Sequence, residues 1–428
     1  MAGYAGHMLL HVSGQLQVVP DEGEEADPHK LRSADLRRVG GLAAVILVVA
    51  ASIAWNLLDR STTAECWSSS PTGAMTLARA GHTATLLRSG KVLVAGGATD
   101  PQMANSAELY DPTTGNWTAT GSMRSGRTNH AAVLLRSGKV LVAGGVAQAE
   151  GGASPSVSTG EAIASAEVYD PESGTWTETS SMPVAADSLT AIVLESGKVF
   201  VAPGLFVQRA LTSSSTPLNL RAELTTHAAE LYDPVSNTWS AIGGLIEPLA
   251  SATLLPSGKV LVLNPFSDTA QLYDPPTGSW SSTAGITTIR DWRTHTATLL
   301  PSGKVLVVGG PIGDPIASAE IFDPAMDTWI PTSAVASPHI DGADATLLPF
   351  GKVLVAGGGS GAWPKAVDSV DLYDPATANW TASGVMAAAR TFFTATLMPS
   401  GAVLYAGGAD AGNGVFSSAE IYAALTCN

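Results

Sequence analysis

Beyond residue 65 one short pattern returns again and again, and this repetition settles the class of fold before any local preference does. In its clearest copy it runs Gly81-His82-Thr83-Ala84-Thr85-Leu86-Leu87, a Ser89-Gly90 turn, Lys91-Val92-Leu93-Val94-Ala95-Gly96-Gly97, and a variable loop. Ser106-Ala107-Glu108-Leu109-Tyr110-Asp111-Pro112, a Thr-Gly turn and Trp117 complete it. That reads as four strands, A to D, returning at intervals of roughly 41 to 63 residues. The Gly-Lys-Val turn recurs at Lys91, Lys139, Lys198, Lys259, Lys304 and Lys352, and a seventh copy carries Ala402. Paired glycines follow at 96–97, 144–145, 309–310, 357–358 and 407–408, whereas copies three and four read Ala202-Pro203-Gly204 and Leu263-Asn264-Pro265. A lone unit of this size cannot bury both faces of its sheet, but face-to-face stacking of neighbouring units does so and leaves only short edges. With 44 glycines, 26 prolines and 45% hydrophobic residues, neither a long helical bundle nor a disordered acidic chain fits.

Apolar strands ending in Gly-Gly, then a spaced Tyr and Trp, resemble the Kelch repeat, in particular the bacterial form similar to the central domain of galactose oxidase. The resemblance implies an all-β, seven-bladed Kelch-type β-propeller in which each unit is one blade and strand A is innermost. Strand counting then predicts how the ring closes. The last copy reaches Ser418-Ala419-Glu420-Ile421-Tyr422 with six residues remaining, too few for its strand D, while Glu65-Cys66-Trp67 is a spare repeat tail. An N-terminal strand is therefore expected in the last blade, with Trp67 in the slot seven residues after Tyr422. That closure sets Cys66 beside Cys427 and predicts a disulfide between them.

Residues 39–58 contain no charge and match the length of helix needed to cross about 30 Å of hydrocarbon. A polar tail, residues 1–38, precedes them with Asp21, Glu22, Glu24, Glu25 and Asp27, so an uncleaved signal anchor is expected rather than a cleaved leader. Arg37-Arg38 resembles a twin-arginine signal, but Val-Gly-Gly follows it poorly. Lys30, Arg32, Arg37 and Arg38 flank one end while Arg60 stands alone beyond the other, which places the tail in the cytoplasm. A 59–64 linker and the propeller, 65–428, then lie outside the cytoplasm, in the periplasm or at the cell surface. A net charge of -15 argues against a nucleic-acid partner.

The repeat also absorbs residues that would otherwise suggest chemistry. Trp67, Trp117, Trp176, Trp239, Trp280, Trp329 and Trp380 share the strand D slot. Asp111, Asp170, Asp233, Asp274, Asp323 and Asp374 all precede a proline, and Glu108, Glu167, Glu230, Glu320, Asp371 and Glu420 share a third slot. The resemblance raises a copper radical oxidase, whose site needs a Tyr crosslinked to a Cys, another Tyr and two His ligands. It also raises a sialidase, with a Tyr nucleophile and an arginine triad. Here the tyrosines outside the repeat slot are Tyr4, in the tail, and Tyr405, within strand B. Both cysteines sit at the seam. Arg79, Arg127 and Arg390 approach strand A as repeat residues, and His82, His130 and His295 are spread round the ring. His339-x-Asp341-x-x-Asp344 offers oxygen ligands for a cation, although a solvated loop gives the same letters. No phosphate loop, HExxH or GxSxG pattern occurs, and no cofactor, metal or catalytic residue is assigned.

Alternating strand direction puts the B-to-C loops and the D-to-A connections on one face. Long B-to-C loops in blades 2 and 3 lie there, together with Trp292 and Trp363, the tryptophans outside the repeat slots beyond the membrane segment. With Arg290, Asp291, Arg293 and Lys365 they form the expected ligand-binding set, an aromatic platform with polar edges suited to a carbohydrate ring or an extended peptide. The expectation is a membrane-anchored, non-catalytic binding module for a protein or carbohydrate ligand outside the cytoplasm. The alternative is a hydrolase or lyase of polysaccharide using Asp291, Asp341 or Asp344.

Overall fold

Period-two alternation explains why the strands pack in layers. In strand B of blade 1, Val92 and Val94 pack on Met398, Leu404 and Ala406 of blade 7, while Leu93 and Ala95 pack on Val140 and Val142 of blade 2. Blades 1, 2 and 6 thus present Val, Tyr and Trp to one neighbour and Leu and Ala to the other, the remaining blades vary this set, and one apolar cluster fills each of the seven interfaces. The computed structural model describes residues 65–426 except 98–99, 101–102, 148–160, 204–227, 244–250, 265–267, 288–294, 310–317, 340–341, 361–364 and 413. Among the described residues no helix is long and apolar enough to cross a membrane. The expected tail, membrane segment and linker lie outside them.

Seven four-stranded antiparallel sheets form the seven blades. Their A strands are Thr83–Leu86, Ala131–Leu134, Thr190–Val193, Ser251–Leu254, Thr296–Leu299, Asp344–Leu347 and Thr394–Leu397, and each touches the next until the last meets the first. The ring is closed. Its final sheet takes strands A, B (Val403–Ala406) and C (Ala419–Thr426) from the C-terminal end and strand D (Glu65–Pro71) from the N-terminal end, as strand counting predicts.

The register of that closing strand differs from expectation. Within blades 1 to 4 and 6 the slot Tyr lies opposite the slot Trp, as in Tyr110 opposite Trp117, and blade 5 substitutes Phe322 for the Tyr. In blade 7 Ser69 lies opposite Tyr422, and Trp67 lies opposite Ala424. Trp67 is thus two residues off the slot and stacks nearly parallel on Tyr422, with centroids 5.7 Å apart and planes at 10°, whereas Tyr110 and Trp117 are tilted by 47°. The cause is covalent. Every other C–D pair is joined by an Asp-Pro turn of fixed length that dictates register, and the closing pair has no turn. Cys66 pairs by its backbone with Leu425; its side chain and Cys427 lie outside the described residues.

Two faces result. The A–B and C–D turns make a turn face; the B–C loops and D-to-A connections make a loop face. Paired glycines mark the loop-face end of strand B because a Cβ on Gly96, at φ +70°, would lie 2.5 Å from the Arg127 carbonyl oxygen of the next blade.

Candidate functional site

On the loop face the first turn into each blade carries side chains that fasten it to its neighbour. His82 Nε2 meets Thr394 Oγ1 at 3.1 Å, His130 meets Thr83 Oγ1 at 2.9 Å, and His295 meets Ser251 Oγ at 3.0 Å. Each histidine enters from one blade and bonds to the inner strand of the preceding one. Burial pushes His82 down to about 3 and His130 well below the usual imidazole value, so both are neutral hydrogen-bonding groups at physiological pH. The three bond to three different strands, as their spread round the ring implies.

Deeper in, blades 1, 2 and 7 share a buried ion pair. Arg79 Nη2 lies 3.0 Å from Glu108, Arg127 Nη2 2.8 Å from Glu167, and Arg390 Nε 3.1 Å from Glu420. Each guanidinium also donates to the first carbonyl of the glycine pair, at Gly96, Gly144 and Gly407, and to the serine opening strand C. The carboxylates reach back across the interface to amides at Thr76, Arg124 and Ala387. Repeat arginines and glutamates are therefore one fastening unit, consistent with their structural reading.

Blades 3 and 6 alter it. In blade 6 His339 takes over, with Nδ1 donating to the Gly357 carbonyl at 2.8 Å and Nε2 3.2 Å from Asp371. Asp344 Oδ2 instead accepts the Ala395 amide at 3.0 Å, and burial raises that carboxyl to about 6. His339 and Asp344 thus have separate partners, and Asp341 lies outside the described residues. The described members of the expected cation set do not converge. Blade 3 keeps Glu230 but has Ala186 where the arginine stands, Pro203 for the glycine and Ala228 for the serine. All four residues line a small cavity of about 10 Å³, roughly the room for one water, and Glu230 Oε2 is buried there with no hydrogen-bond partner among the described residues.

Of the expected ligand-binding set, Arg290, Asp291, Trp292, Arg293 and Trp363 lie outside the described residues. Lys365 is exposed on the two-residue strand Lys365–Ala366, which pairs with Gly359–Ser360 as it leaves strand B of blade 6. Trp292 precedes Thr296 by the same four residues that separate Arg79 from Thr83.

One recurrent pair escaped the sequence reading. The turn lysine meets the turn aspartate in six blades, from Lys139–Asp170 and Lys304–Asp323 at 2.9 Å to Lys352–Asp374 at 3.9 Å. Blade 7 has Ala402 and Ala423 at these two positions, and that joint loss is the signal the sequence offered.

Comparison with known proteins supports the fold. A family model described as Kelch motif matches residues 127–183. No curated protein matches the chain. Among solved structures a fungal alcohol oxidase with catalytic diversity among the AA5 family, in complex with copper, aligns at TM-score 0.62 and 19% identity, covering 84% of this chain and 76% of that one. The described residues do not fit that metal. Tyr110, Tyr169, Tyr232 and Tyr422 bond to Thr72, Thr120, Asn237 and Ser383 between or within blades, and Tyr405 is walled in against Phe393 and Tyr422. The described histidines are committed to neighbouring strands or to Gly357.

Proposed function

We propose that this seven-bladed Kelch-repeat β-propeller is a non-catalytic binding module, held outside the cytoplasmic membrane by residues 39–58, and that it takes a carbohydrate or an extended peptide on its loop face. One observation carries the reading: the buried arginines and glutamates of blades 1, 2 and 7 are spent on tying each blade to the segment that enters it, and His82 and His130 on fastening it to the preceding blade. What varies from blade to blade is the loop face, and rigid scaffolds place recognition on such loops. The proposed contacts are Trp292 and Trp363 with Arg290, Asp291, Arg293 and Lys365. The polysaccharide-enzyme reading has less support, because the Asp344 carboxylate is engaged by the next blade's Ala395 amide.

Calorimetric titration against glycans and peptides selected on arrays tests the reading. Saturable binding that weakens at least tenfold on combined Trp292→Ala and Trp363→Ala substitution is expected. Turnover of a ligand without retention would favour the enzyme, and binding indifferent to both substitutions would move the site elsewhere.

The closing register brings Cys66 opposite Leu425, two residues before Cys427, and we propose that the two cysteines are joined. Thiol alkylation of the unfolded, unreduced chain is expected to add no mass until a reductant is supplied. Two alkylated thiols before reduction would refute the bond.

A further inference from the structure

Blades without the buried arginine make good its absence, and blade 3 is the exception. Blade 4 has the neutral Gln271 in the glutamate slot. Blade 5 keeps Glu320 and supplies it with the amide and the hydroxyl of Thr287, at 2.9 and 2.6 Å. Blade 6 keeps Asp371 and supplies it with His339 and with the amide and hydroxyl of Ser337. In blade 3 Glu230 is 4% exposed, and among the described residues only the Val184 amide reaches it, at 3.1 Å from Oε1. Its Oε2 borders the cavity with no partner among them. A buried carboxylate in that state is costly, and a cation from outside the blade would supply what the chain does not.

The missing groups define what fits. In blade 1 the Arg79 guanidinium donates to the Gly96 and Ser106 carbonyls as well as to Glu108, and the Gly96 amide donates to the Ser106 carbonyl. Blade 3 keeps the equivalent carbonyls, those of Pro203 and Ala228, but Ala186 has no guanidinium and Pro203 no N–H to give them. One carboxylate oxygen and two carbonyls are thus left beside a space of about 10 Å³. Three acceptors match the three N–H donors of a primary ammonium, whose head is close to a water in size, whereas a guanidinium spreads its donors over a wider plane. A calcium ion takes roughly six to eight oxygens, more than this site offers. The rest of the lining, Met182, Val184, Leu189 and Val201, is apolar and suits the alkyl stem behind such a head. Val184, 40% exposed, carries that lining to the loop-face surface. An amino sugar bears its ammonium directly on the ring and has no stem to cross it.

We infer that the blade 3 cavity is a subsite for a lysine side chain of an extended peptide bound on the loop face, with Glu230 as counter-ion and the Pro203 and Ala228 carbonyls as the other acceptors. The inference deepens the proposed function, rests on the loop face being the binding face, and selects peptide over carbohydrate.

Isothermal titration of the full chain in non-ionic detergent tests it, with n-butylammonium as the probe of the cavity and ethylguanidinium and potassium as comparisons at equal ionic strength. Saturable binding of n-butylammonium is expected, at least tenfold tighter than either comparison. It should weaken at least tenfold in Glu230→Gln, and likewise in Ala186→Arg, which returns a guanidinium from within the chain. Equal affinity for potassium, or binding unchanged in Glu230→Gln, would overturn the inference. Array ligands separate it from the reading it rests on. Replacing the lysine of a bound peptide by norleucine should weaken binding at least tenfold. A peptide or glycan that binds through Trp292 and Trp363 but ignores Glu230→Gln refutes the subsite and leaves the proposed function. Binding of n-butylammonium with no array ligand retained refutes the proposed function and the peptide with it, leaving only an amine site.

Discussion

Replacing Arg390 by alanine is expected to lower the stability of the propeller by about 3–5 kcal/mol, read as a shift in the denaturant midpoint. The side chain is 2% exposed and its donors reach Glu420, the Gly407 and Ser418 carbonyls and the Ser418 hydroxyl. Phe416 lies under its guanidinium, 4.8 Å from the carbon to the ring centroid. Removing it strands the Glu420 carboxylate, which also takes the Ala387 amide and the hydroxyl of Ser69 on the closing strand. Glu420 is thus the point where the last-blade sheet, its entry segment and the N-terminal strand converge. Arg390→Lys keeps the charge but loses the planar fork and should recover only part of the loss. A loss below about 1 kcal/mol for the alanine variant would show that the pair is not holding the seam. Arg127→Ala, which breaks the corresponding pair inside a covalently continuous blade, serves as the comparison.

The second large effect concerns pH and Glu230. Burial without an arginine raises this carboxyl from 4.5 to about 7, opposed by the Val184 amide that donates to its other oxygen. The direction of the linkage follows. Between pH 4.5 and 7 the unfolded chain gives up this proton while the folded chain keeps it, so the folded state binds more protons and stability falls as pH rises. Below about 4.5 the favourable contribution is fully present; above about 7 it is gone. The shift corresponds to a difference on the order of 3 kcal/mol across that window. Glu230→Gln should remove this part of the pH dependence and leave the chain relatively more stable at pH 8. Denaturation midpoints for both proteins at pH 4.5, 6, 7 and 8 would show it, and parallel curves would place the carboxylate in contact with solvent or a cation.

The blades were legible because repetition reports on packing. A residue type that returns at one position in most of the seven copies is held there by the same neighbours, so the Tyr, Trp, Glu and Gly-Gly slots are legible in the sequence. Spare strands at the two ends likewise disclosed the closure. The register of that closure was not legible, because it depends on pairing between separate segments rather than on a turn. Departures from the repeat were harder still. Ala186, Pro203 and Ala228 look like unrelated changes until folding brings them round one carboxylate, and the lysine–aspartate pairs become apparent only when strand B and the C–D turn are adjacent. The ligand-contact set drew on Trp292 and Trp363, residues without repeat counterparts, and repetition is silent about such positions.

The borrowed strand also bears on how the molecule is made. Residues 65–71 are synthesised before any complete blade, yet among the described residues their sheet partner is 419–426, which follows the other six blades. Until then the earliest-made β segment has nothing to zip onto, and six blades can assemble while the circle remains open. A nascent chain that has not yet made residues 419–426 presents two bare strand edges to its surroundings. Ring closure therefore waits on a meeting between the two propeller segments that lie farthest apart along the chain.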